Sequence, residues 1–435
     1  MRQHHQPVES DTTGQRGCVL AEDARPGRRV FSRRMFVTAA LAATGGIAVA
    51  AEAKCAAAPR MKIRRIRFYQ PPRMRPTFNQ SDRIVVIETD AGISGVGEGG
   101  AKDTLQQCAA MLIGEDPSRI EHLWQLLYRG YFYPPGREKL HALGALDMAL
   151  WDIKGKSLGV PVYELLGGLS RDHIECYSTG FPRKGDVKET SRACLEAGFR
   201  AFRSSVADTE KDVFNSRHAV ERTFRHCQEV REGVGNEGDW AIDFHTRLDL
   251  PDAVRLSTLI EPLAPLFVED PLRSENPGVL KDFRMRSRVP VAVGEQFGAR
   301  WDFQELIQDR TIDYVRGTLP NVGGITELLK IAALCETHYV GLIPHFTGPI
   351  SLAALVHVLG VFPGPVLMEI AGAAPPSRPY LPQGPDFHDG KLWPREALGL
   401  GVEFDPRGAE LIAEIDQRCS PIPMYRRPDG SITNW

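Results

Sequence analysis

The chain has 435 residues, of which 42% are hydrophobic and 25% are charged, and its formal net charge is −2. This length and composition are typical of a soluble protein with two domains and a large core, and they argue against a membrane-embedded body. The charge balance is not suited to nucleic-acid binding. The eight cysteines form no CxxC pair, so we expect most of them to be small buried apolar residues.

Residues 1–58 are predicted to be a disordered leader followed by a signal peptide. Polar residues come first, and they are followed by Arg33 and Arg34, an uncharged stretch over 38–51 and a run of small residues. This order is typical of a twin-arginine secretory signal. The apolar stretch is too short for a stable membrane span, so we expect cleavage and release of the protein into the periplasm. The alternative is that Met61 is the true first residue.

Residues 61–172 are predicted to form an α+β domain, because short strands are followed by helical periodicity. The strand-like runs cover 63–69, 83–89 and 93–98, and the helical runs cover 105–113, 120–128 and 140–158. Apolar residues alternate or run together in the former, whereas they recur three and four residues apart in the latter. We therefore expect an antiparallel meander accompanied by helices.

Strands and helices alternate over residues 173–380. The eight strand-like runs cover 175–178, 201–205, 240–244, 266–269, 291–294, 313–316, 341–344 and 366–370. Alternation of this number predicts a barrel of the TIM type, with its chemistry at the carboxyl ends of the strands. A proline-rich segment follows the eighth run in place of a helix, so the predicted barrel has seven helices. The tail, residues 381–435, is expected to pack back on the first domain.

Three acidic residues follow strand-like runs at equal intervals. Asp243, Glu269 and Glu295 are each 26 residues apart, a length that suits one strand plus one helix. Right-handed crossovers between parallel strands bring such positions to the same end of a sheet. Carboxylates held this close repel unless a cation neutralises them, and an all-oxygen ligand set favours a hard ion such as Mg²⁺. The spacing therefore predicts a divalent metal site, the alternative being acids that cap the following helices.

The motifs around these acids resemble those of a known family. Asp-Phe-His at 243–245, Val-Glu-Asp-Pro at 268–271 and Val-Gly-Glu at 293–295 resemble the ligand motifs of the enolase superfamily, in its mandelate racemase-like branch. The resemblance covers about residues 61–435, and it is greatest to the acid-sugar dehydratases. It implies an α/β fold, a modified TIM barrel of the (β/α)7β kind, with an α+β capping domain built from the N-terminal region and the C-terminal tail.

The resemblance also implies roles for two histidines. His345 follows the seventh strand-like run and matches the family's barrel-end histidine, and an imidazole suits proton abstraction near neutral pH. His245 lies two residues after Asp243, so on an extended strand it would face the same side. The pattern Asp-X-His resembles that of sugar-acid dehydratases, in which the histidine protonates the departing β-hydroxyl. The alternative for His245 is a role in supporting the metal ligands or in capping a helix.

Three further positions modify this picture. Arg203 stands where racemases of the superfamily have a lysine pair, which excludes lysine chemistry there, and it resembles an arginine of the mannonate dehydratases, whose partner tyrosine has no counterpart here. Thr318 replaces the aspartate that often pairs with the barrel histidine, so His345 lacks that orienting group. Glu369, at the end of the eighth run, matches a glutamate that contacts substrate in relatives. The alternative for Glu369 is a buried ion pair with an arginine.

These observations predict a Mg²⁺-dependent dehydratase that removes the proton α to a carboxylate and converts an acid sugar to a 2-keto-3-deoxy product. Two alternatives stay open: an epimerase or racemase on the same scaffold, and a non-catalytic periplasmic binding protein, which the threonine at position 318 would favour. The expected partners are a small-molecule acid sugar and further copies of the chain as a homo-oligomer, with no nucleic acid and no stable membrane insertion. The stereochemistry of the sugar depends on the loops 71–81 and 129–137.

Overall fold

The computed structural model describes residues 59–72, 83–130, 136–206, 213–420 and 423–433. All of them belong to one compact unit, Ala56–Trp435. The predicted leader and twin-arginine signal, residues 1–58, lie outside the described residues, as do parts of the loops 71–81 and 129–137.

The first domain is a four-stranded antiparallel sheet with helices on it. Its first three strands, β1 (Ile63–Gln70), β2 (Ile84–Thr89) and β3 (Ser94–Glu98), form the predicted meander, and a strand from the C-terminal tail pairs with β1. The helices are α1 (Lys102–Leu112), α2 (Ile120–Arg129), α3 (Arg137–Leu158) and the short α4 (Val162–Leu165). Gly95 and Gly97 allow α3 to approach β3 closely, because a Cβ at either position would overlap backbone carbonyls of that helix.

The second domain is the predicted barrel. Its strands are β4 (Ile174–Thr179), β5 (Ala201–Ser205), β6 (Asp239–Asp243), β7 (Val268–Glu269), β8 (Val291–Val293), β9 (Tyr314–Val315), β10 (Gly341–Leu342) and β11 (Met368–Ala371). Strands β4 to β10 pair in order and in parallel, and β11 pairs with β4. A parallel bridge between Leu342 of β10 and Val366, two residues before β11, places the last strand segment beside β10.

Within the described ranges, seven helices cover the outside of the barrel, one between each pair of successive strands. They are α5 (Val187–Glu196), α6 (Ser216–Val234), α7 (Leu250–Ile260), α8 (Leu280–Arg284), α9 (Arg300–Gln308), α10 (Ile325–His338) and α11 (Pro349–Val361). The (β/α)7β architecture predicted from the sequence is thus confirmed. Within the described residues, no helix has both the length and the apolar character needed to cross a bilayer.

An apolar layer fills the barrel interior below the carboxyl ends of the strands. Its buried members combine small and large side chains: Tyr177, Ala201, Ala241, Phe267, Ala292, Ile343 and Leu367. Small alanine side chains and large aromatic rings together fill the interior of the barrel. This layer is the apolar base of a group of charged side chains at the barrel mouth.

The C-terminal tail divides between the two domains, which the sequence did not indicate. The hairpin of β12 (Asp386–His388) and β13 (Lys391–Trp393) extends the barrel sheet, because β13 pairs antiparallel with β4. Leu392 is fully buried there and contributes to the barrel core. The later part of the tail returns to the first domain: β14 (Glu410–Ile415) pairs with β1, and Ile432 is buried in the core of that domain.

Candidate active site

Acidic side chains are brought together where β6, β7 and β8 end. Asp243 and Glu269 are direct neighbours in the parallel register. Glu295 follows β8 after Gly294, whose φ of +136° belongs to a region that favours glycine, and a Cβ there would also lie 2.5 Å from the Phe303 ring. The equal spacing in the sequence therefore reflects three successive strand ends on one side of the barrel mouth.

Three carboxylates form a group that could hold a metal ion. Glu269, Asp270 and Glu295 each offer an oxygen, and these atoms lie within 4.8 Å of one another. Burial raises the pKa of Asp270 well above its usual value, and the nearby carboxylates of Glu295 and Asp243 raise it further. Among the described residues, Oδ2 of Asp270 is buried and has no hydrogen-bond partner. A hard divalent cation would satisfy this oxygen and neutralise the group, so the residues fit the predicted metal.

Asp243, the third predicted ligand, lies beside this group, but protein donors hold its carboxylate. Its Oδ1 accepts a hydrogen bond from the backbone N–H of His245 at 2.5 Å, and its Oδ2 pairs with Nη1 of Arg203. Sequence reasoning did not select Asp270, although it directly follows Glu269 in the Val-Glu-Asp-Pro motif. Its φ of 38° turns the chain at that point, which no apolar pattern indicates.

Arg203 lies in the mouth, and its side chain is only 8% exposed. It pairs with Asp243, lies 3.3 Å from Oε2 of Glu269 and reaches Oε1 of Glu369 at 3.5 Å. Burial alone would lower the pKa of this guanidinium, but the surrounding carboxylates outweigh burial and raise it. Arg203 is therefore a permanent positive charge among several negative ones.

Arg316 is a second arginine of the site, and sequence reasoning missed it. It is fully buried, and its Nη2 lies 2.6 Å from Oε1 of Glu269, 2.7 Å from Oε2 of Glu369 and 3.6 Å from Oε2 of Glu295. Its Nη1 donates to the hydroxyl of Tyr177 in the apolar layer. The sequence does contain an indication of this role: Arg316 directly follows β9, so it occupies a strand end just as the acids do.

Glu369 is a fully buried carboxylate held by both arginines. Its Oε2 also accepts from the backbone N–H of Phe346 at 3.2 Å, and its Oε1 accepts from the hydroxyl of Thr179. Burial would raise the pKa of Glu369, but Arg316 and Arg203 outweigh burial and hold it below its usual range. These contacts are those of a buried ion pair with arginine, the alternative expectation for this residue.

His345 lies just beyond β10, and its Nε2 is 3.4 Å from Oε2 of Glu295. Burial lowers the pKa of His345, while Glu369 and Glu295 oppose this effect. A neutral imidazole at neutral pH can accept a proton. Thr318 stands where the aspartate partner of this ring is expected. Its hydroxyl instead donates to the backbone carbonyl of Glu295 at 3.3 Å, so the carboxylate that pairs with His345 is that of Glu295.

His245 does not lie on an extended strand, so the argument that placed it on the same face as Asp243 does not hold. Strand β6 ends at Asp243, and His245 and Thr246 have φ values of 49° and 58°. The alternation of side chains applies only to extended backbone, and here the chain turns. The His245 side chain is exposed at the surface of this turn, while its backbone N–H supports Asp243.

The capping domain is fastened to the segment that carries His345. Glu98, the last residue of β3, is buried, and its Oε2 accepts hydrogen bonds from the backbone N–H groups of Ile350 and Ser351, both at 3.0 Å. A carboxylate at the first turn of α11 is favoured by the helix dipole. The indole of Trp124 donates to the backbone carbonyl of Gly323 at 2.9 Å, before α10. Both contacts fix barrel loops that border the mouth.

Comparison with known proteins gives relatives of similar length. A D-galactonate dehydratase from Pectobacterium atrosepticum is 37% identical over 394 residues, which are 86% of this chain and 100% of that protein. A D-galactonate dehydratase from Xanthomonas euvesicatoria pv. vesicatoria is 38% identical over 379 residues, 82% of this chain and 98% of that protein.

Solved structures with the same fold are also related in sequence. A provisionally assigned dehydratase from Salmonella enterica superposes with a TM-score of 0.76 at 26% identity and covers 82% of this chain and 100% of that one. An enolase from Agrobacterium radiobacter, provisionally assigned as a galactarate dehydratase and bound to Na and L-malate, has a TM-score of 0.72 at 30% identity, with 85% and 99% covered.

Two family descriptions match the two domains of the structure. Residues 62–167 match the N-terminal domain of the mandelate racemase and muconate lactonizing enzyme family, and residues 186–408 match the enolase C-terminal domain-like family. The chain therefore belongs to the enolase superfamily, in its mandelate racemase and muconate lactonizing enzyme branch.

Proposed function

We propose that the protein is a Mg²⁺-dependent sugar-acid dehydratase that removes the proton α to a carboxylate and eliminates the β-hydroxyl to give a 2-keto-3-deoxy acid. The relatives named D-galactonate dehydratase support the predicted enzyme class, a carbon–oxygen lyase of the hydro-lyase type. The observation that carries the proposal is the position of the buried His345 imidazole, 3.4 Å from Glu295, which belongs to the group of three carboxylates.

The metal ligands in this proposal are the carboxylates at the ends of β7 and β8. Glu269, Asp270 and Glu295 supply oxygens within 4.8 Å of one another, and the predicted ligand Asp243 adjoins them. A bound Mg²⁺ would stabilise the negative charge that develops on the substrate carboxylate as the α-proton leaves. The Agrobacterium radiobacter relative is bound to Na and L-malate, a cation and a hydroxy acid, which supports a site of this type.

His345 is the proposed base. Its ring is buried and its pKa is lowered, so it is neutral and ready to accept the α-proton at neutral pH. After the transfer, the imidazolium lies 3.4 Å from the carboxylate of Glu295 and within the field of Glu369, and both stabilise its charge. This arrangement gives the base carboxylate partners even though Thr318 provides none.

His245 is the proposed acid that protonates the departing β-hydroxyl. Its backbone N–H is tied to Asp243, so its position relative to the carboxylates is fixed, while its side chain is exposed on the turn after β6. An exposed imidazole can be reprotonated from solvent after each turnover. Arg203 and Glu369 would border the substrate without transferring protons in this scheme, since both are held in ion pairs.

The experiment that tests the function is product analysis with Mg²⁺ in D₂O. D-galactonate is the first substrate to examine because of the named relatives, followed by galactarate and D-mannonate. Dehydration gives a keto acid that reacts with semicarbazide. Deuterium at the α-carbon without any keto acid would identify an epimerase instead, whereas binding of these acids without either reaction would identify a binding protein.

We also propose export of the folded protein to the periplasm by the twin-arginine route. Arg33 and Arg34 precede the weakly apolar stretch, in a part of the chain outside the described residues. Changing both to lysine should retain the protein in the cytoplasm, as measured by fractionation. Recovery of the double variant from the periplasm would contradict this route.

A further inference from the structure

Among the residues that the structure describes, the carboxylates of the barrel mouth outnumber the arginines that lie between them. The five acids are Asp243, Glu269, Asp270, Glu295 and Glu369, and the two arginines among them are Arg203 and Arg316. Like charges at these separations repel strongly where solvent is excluded. Each arginine therefore determines how much negative charge is left for a metal ion, and the two arginines are placed differently.

Arg316 is a fully buried part of the site. Its Nη2 contacts Glu269 at 2.6 Å and Glu369 at 2.7 Å, all three side chains are fully buried, and its Nη1 is bonded to Tyr177. Removing one partner of such a buried pair leaves an uncompensated charge. Arg316 thus compensates the negative charge of Glu269 and Glu369 whether or not a metal ion is bound.

Arg203 is slightly more exposed than Arg316, and it contacts Asp243 at one of its two carboxylate oxygens. The Asp243 carboxylate has two oxygens, of which Oδ1 accepts from the backbone of His245 and Oδ2 pairs with Nη1 of Arg203. A cation that binds Asp243 through Oδ2 would therefore have to displace the guanidinium. The hydroxyl of Thr179 accepts from Nε of Arg203 at 2.7 Å, so the guanidinium keeps one neutral partner if it leaves Asp243.

We propose that Arg203 competes with the divalent ion for Oδ2 of Asp243, so that it weakens the affinity for metal and is released by the bound ion to pair with the anionic substrate. This inference rests on the metal site of the proposed function. A side chain that occupies a ligand position lowers the apparent affinity for the metal, because only the fraction of molecules in which that position is open can bind. Metal and acid anion would then bind cooperatively, because each favours the arrangement in which Arg203 has left Asp243.

The first test measures the binding of Mn²⁺, as a probe for the divalent site, to the full chain by calorimetry. Arg203→Met removes the charge and should bind Mn²⁺ more tightly, on the order of tenfold. Arg203→Lys keeps the charge and should stay near the wild-type value. In an Asp243→Asn background, Arg203→Met should have little effect, because the shared oxygen is gone, whereas a general effect of charge would persist.

The outcomes distinguish a failure of this inference from a failure of the proposed function. If the wild-type protein binds no Mn²⁺, the metal site itself fails. If it binds Mn²⁺ and a folded Arg203→Met variant binds with equal or lower affinity, only the competition is overturned. Should Arg203→Met fail to fold, Arg203→Gln retains hydrogen-bond donors without charge and carries the same expectation.

The second test uses L-malate as the anion probe. With the site saturated by Mn²⁺, malate should bind the Arg203→Met variant several-fold more weakly than the wild-type protein, because the released guanidinium is missing. Arg203→Lys should recover part of the difference. Equal malate affinities of wild type and Arg203→Met would show that Arg203 does not receive the anion and would overturn this half of the proposal.

Discussion

The buried acids of the capping domain and those of the barrel mouth carry the same chemical groups in opposite surroundings. Asp152 of α3 is fully buried, and its carboxylate accepts from the backbone N–H groups of Val96 at 3.0 Å and Leu400 at 2.9 Å. It also pairs with Lys156 at 2.6 Å. Glu98 likewise accepts from two N–H groups at the start of α11. Each of these acids joins separate parts of the chain through fixed donors.

The mouth acids are crowded together instead. Glu269, Asp270 and Glu295 approach one another within 4.8 Å, and a buried oxygen of Asp270 has no hydrogen-bond partner among the described residues. Folding alone does not favour such a group, since every buried polar atom without a partner costs free energy. Burial alone therefore does not identify a functional acid. The surroundings do: Asp152 and Glu98 accept hydrogen bonds from donors of distant segments, whereas Glu269, Asp270 and Glu295 lie against one another.

The largest expected effect is the loss of metal binding in Glu269→Gln. The change removes one negative charge from the group, and the loss should exceed the 10- to 100-fold typical of residues one contact further away. Calorimetry with Mg²⁺ or Mn²⁺ measures it. Asp147→Asn, which neutralises a buried acid of α3, is the matched control and should bind metal normally. An equal loss of metal affinity in both variants would contradict the distinction between acids of the mouth and acids of the capping domain.

His345→Asn should reduce dehydration by about 10²- to 10⁴-fold and abolish α-hydrogen exchange in D₂O, because general base assistance is worth this much. His245→Asn is the matched comparison. It should lower dehydration while exchange persists, since the α-proton can leave without departure of the hydroxyl. Normal exchange in His345→Asn would remove that residue as the base. Undiminished dehydration in His245→Asn would reduce His245 to a support of Asp243.

The sequence predicted the positions of the mouth acids better than it predicted their contacts. Apolar runs marked the eight strands, and equal spacing placed Asp243, Glu269 and Glu295 on successive strand ends. The pairing of Asp243 with Arg203 joins residues from different strands, and the rotamers that bring them together are not encoded by any local pattern. The turn at His245 was missed for a similar reason, because positive φ values at residues other than glycine have no periodic signature.

Asp152→Ala should destabilise the protein by about 2–5 kcal/mol, because it leaves two buried N–H groups and Lys156 without their acceptor. The measurement is urea-induced unfolding monitored by circular dichroism, in which the midpoint concentration of urea should fall. Metal affinity of the folded fraction should stay near that of the wild-type protein, since Asp152 lies in the capping domain rather than in the mouth. A selective loss of metal binding without loss of stability would contradict the assignment of Asp152 to the fold.

The last expected effect is a pH dependence of stability caused by Asp147. This acid of α3 accepts from the backbone N–H of Thr326 at 3.0 Å and from its hydroxyl at 2.6 Å, and it connects the capping domain to the start of α10. Burial raises its pKa from 3.8 to about 7, and the two hydrogen bonds from Thr326 only partly oppose this effect.

A carboxyl group with a raised pKa binds its proton more tightly in the folded protein than in the unfolded chain. Its contribution to stability is therefore fully present below about pH 4 and is lost as the pH rises towards 7, by about 1.4 kcal/mol per pH unit at most. Asp147→Asn carries no such proton, while every other titrating group is shared with the wild-type protein. The difference in melting temperature between the two proteins should thus shift in favour of the variant between pH 4 and pH 7 and stay constant above that range. Parallel profiles would show that Asp147 is ionised in the folded protein throughout, as expected of an acid whose backbone donor fully offsets its burial.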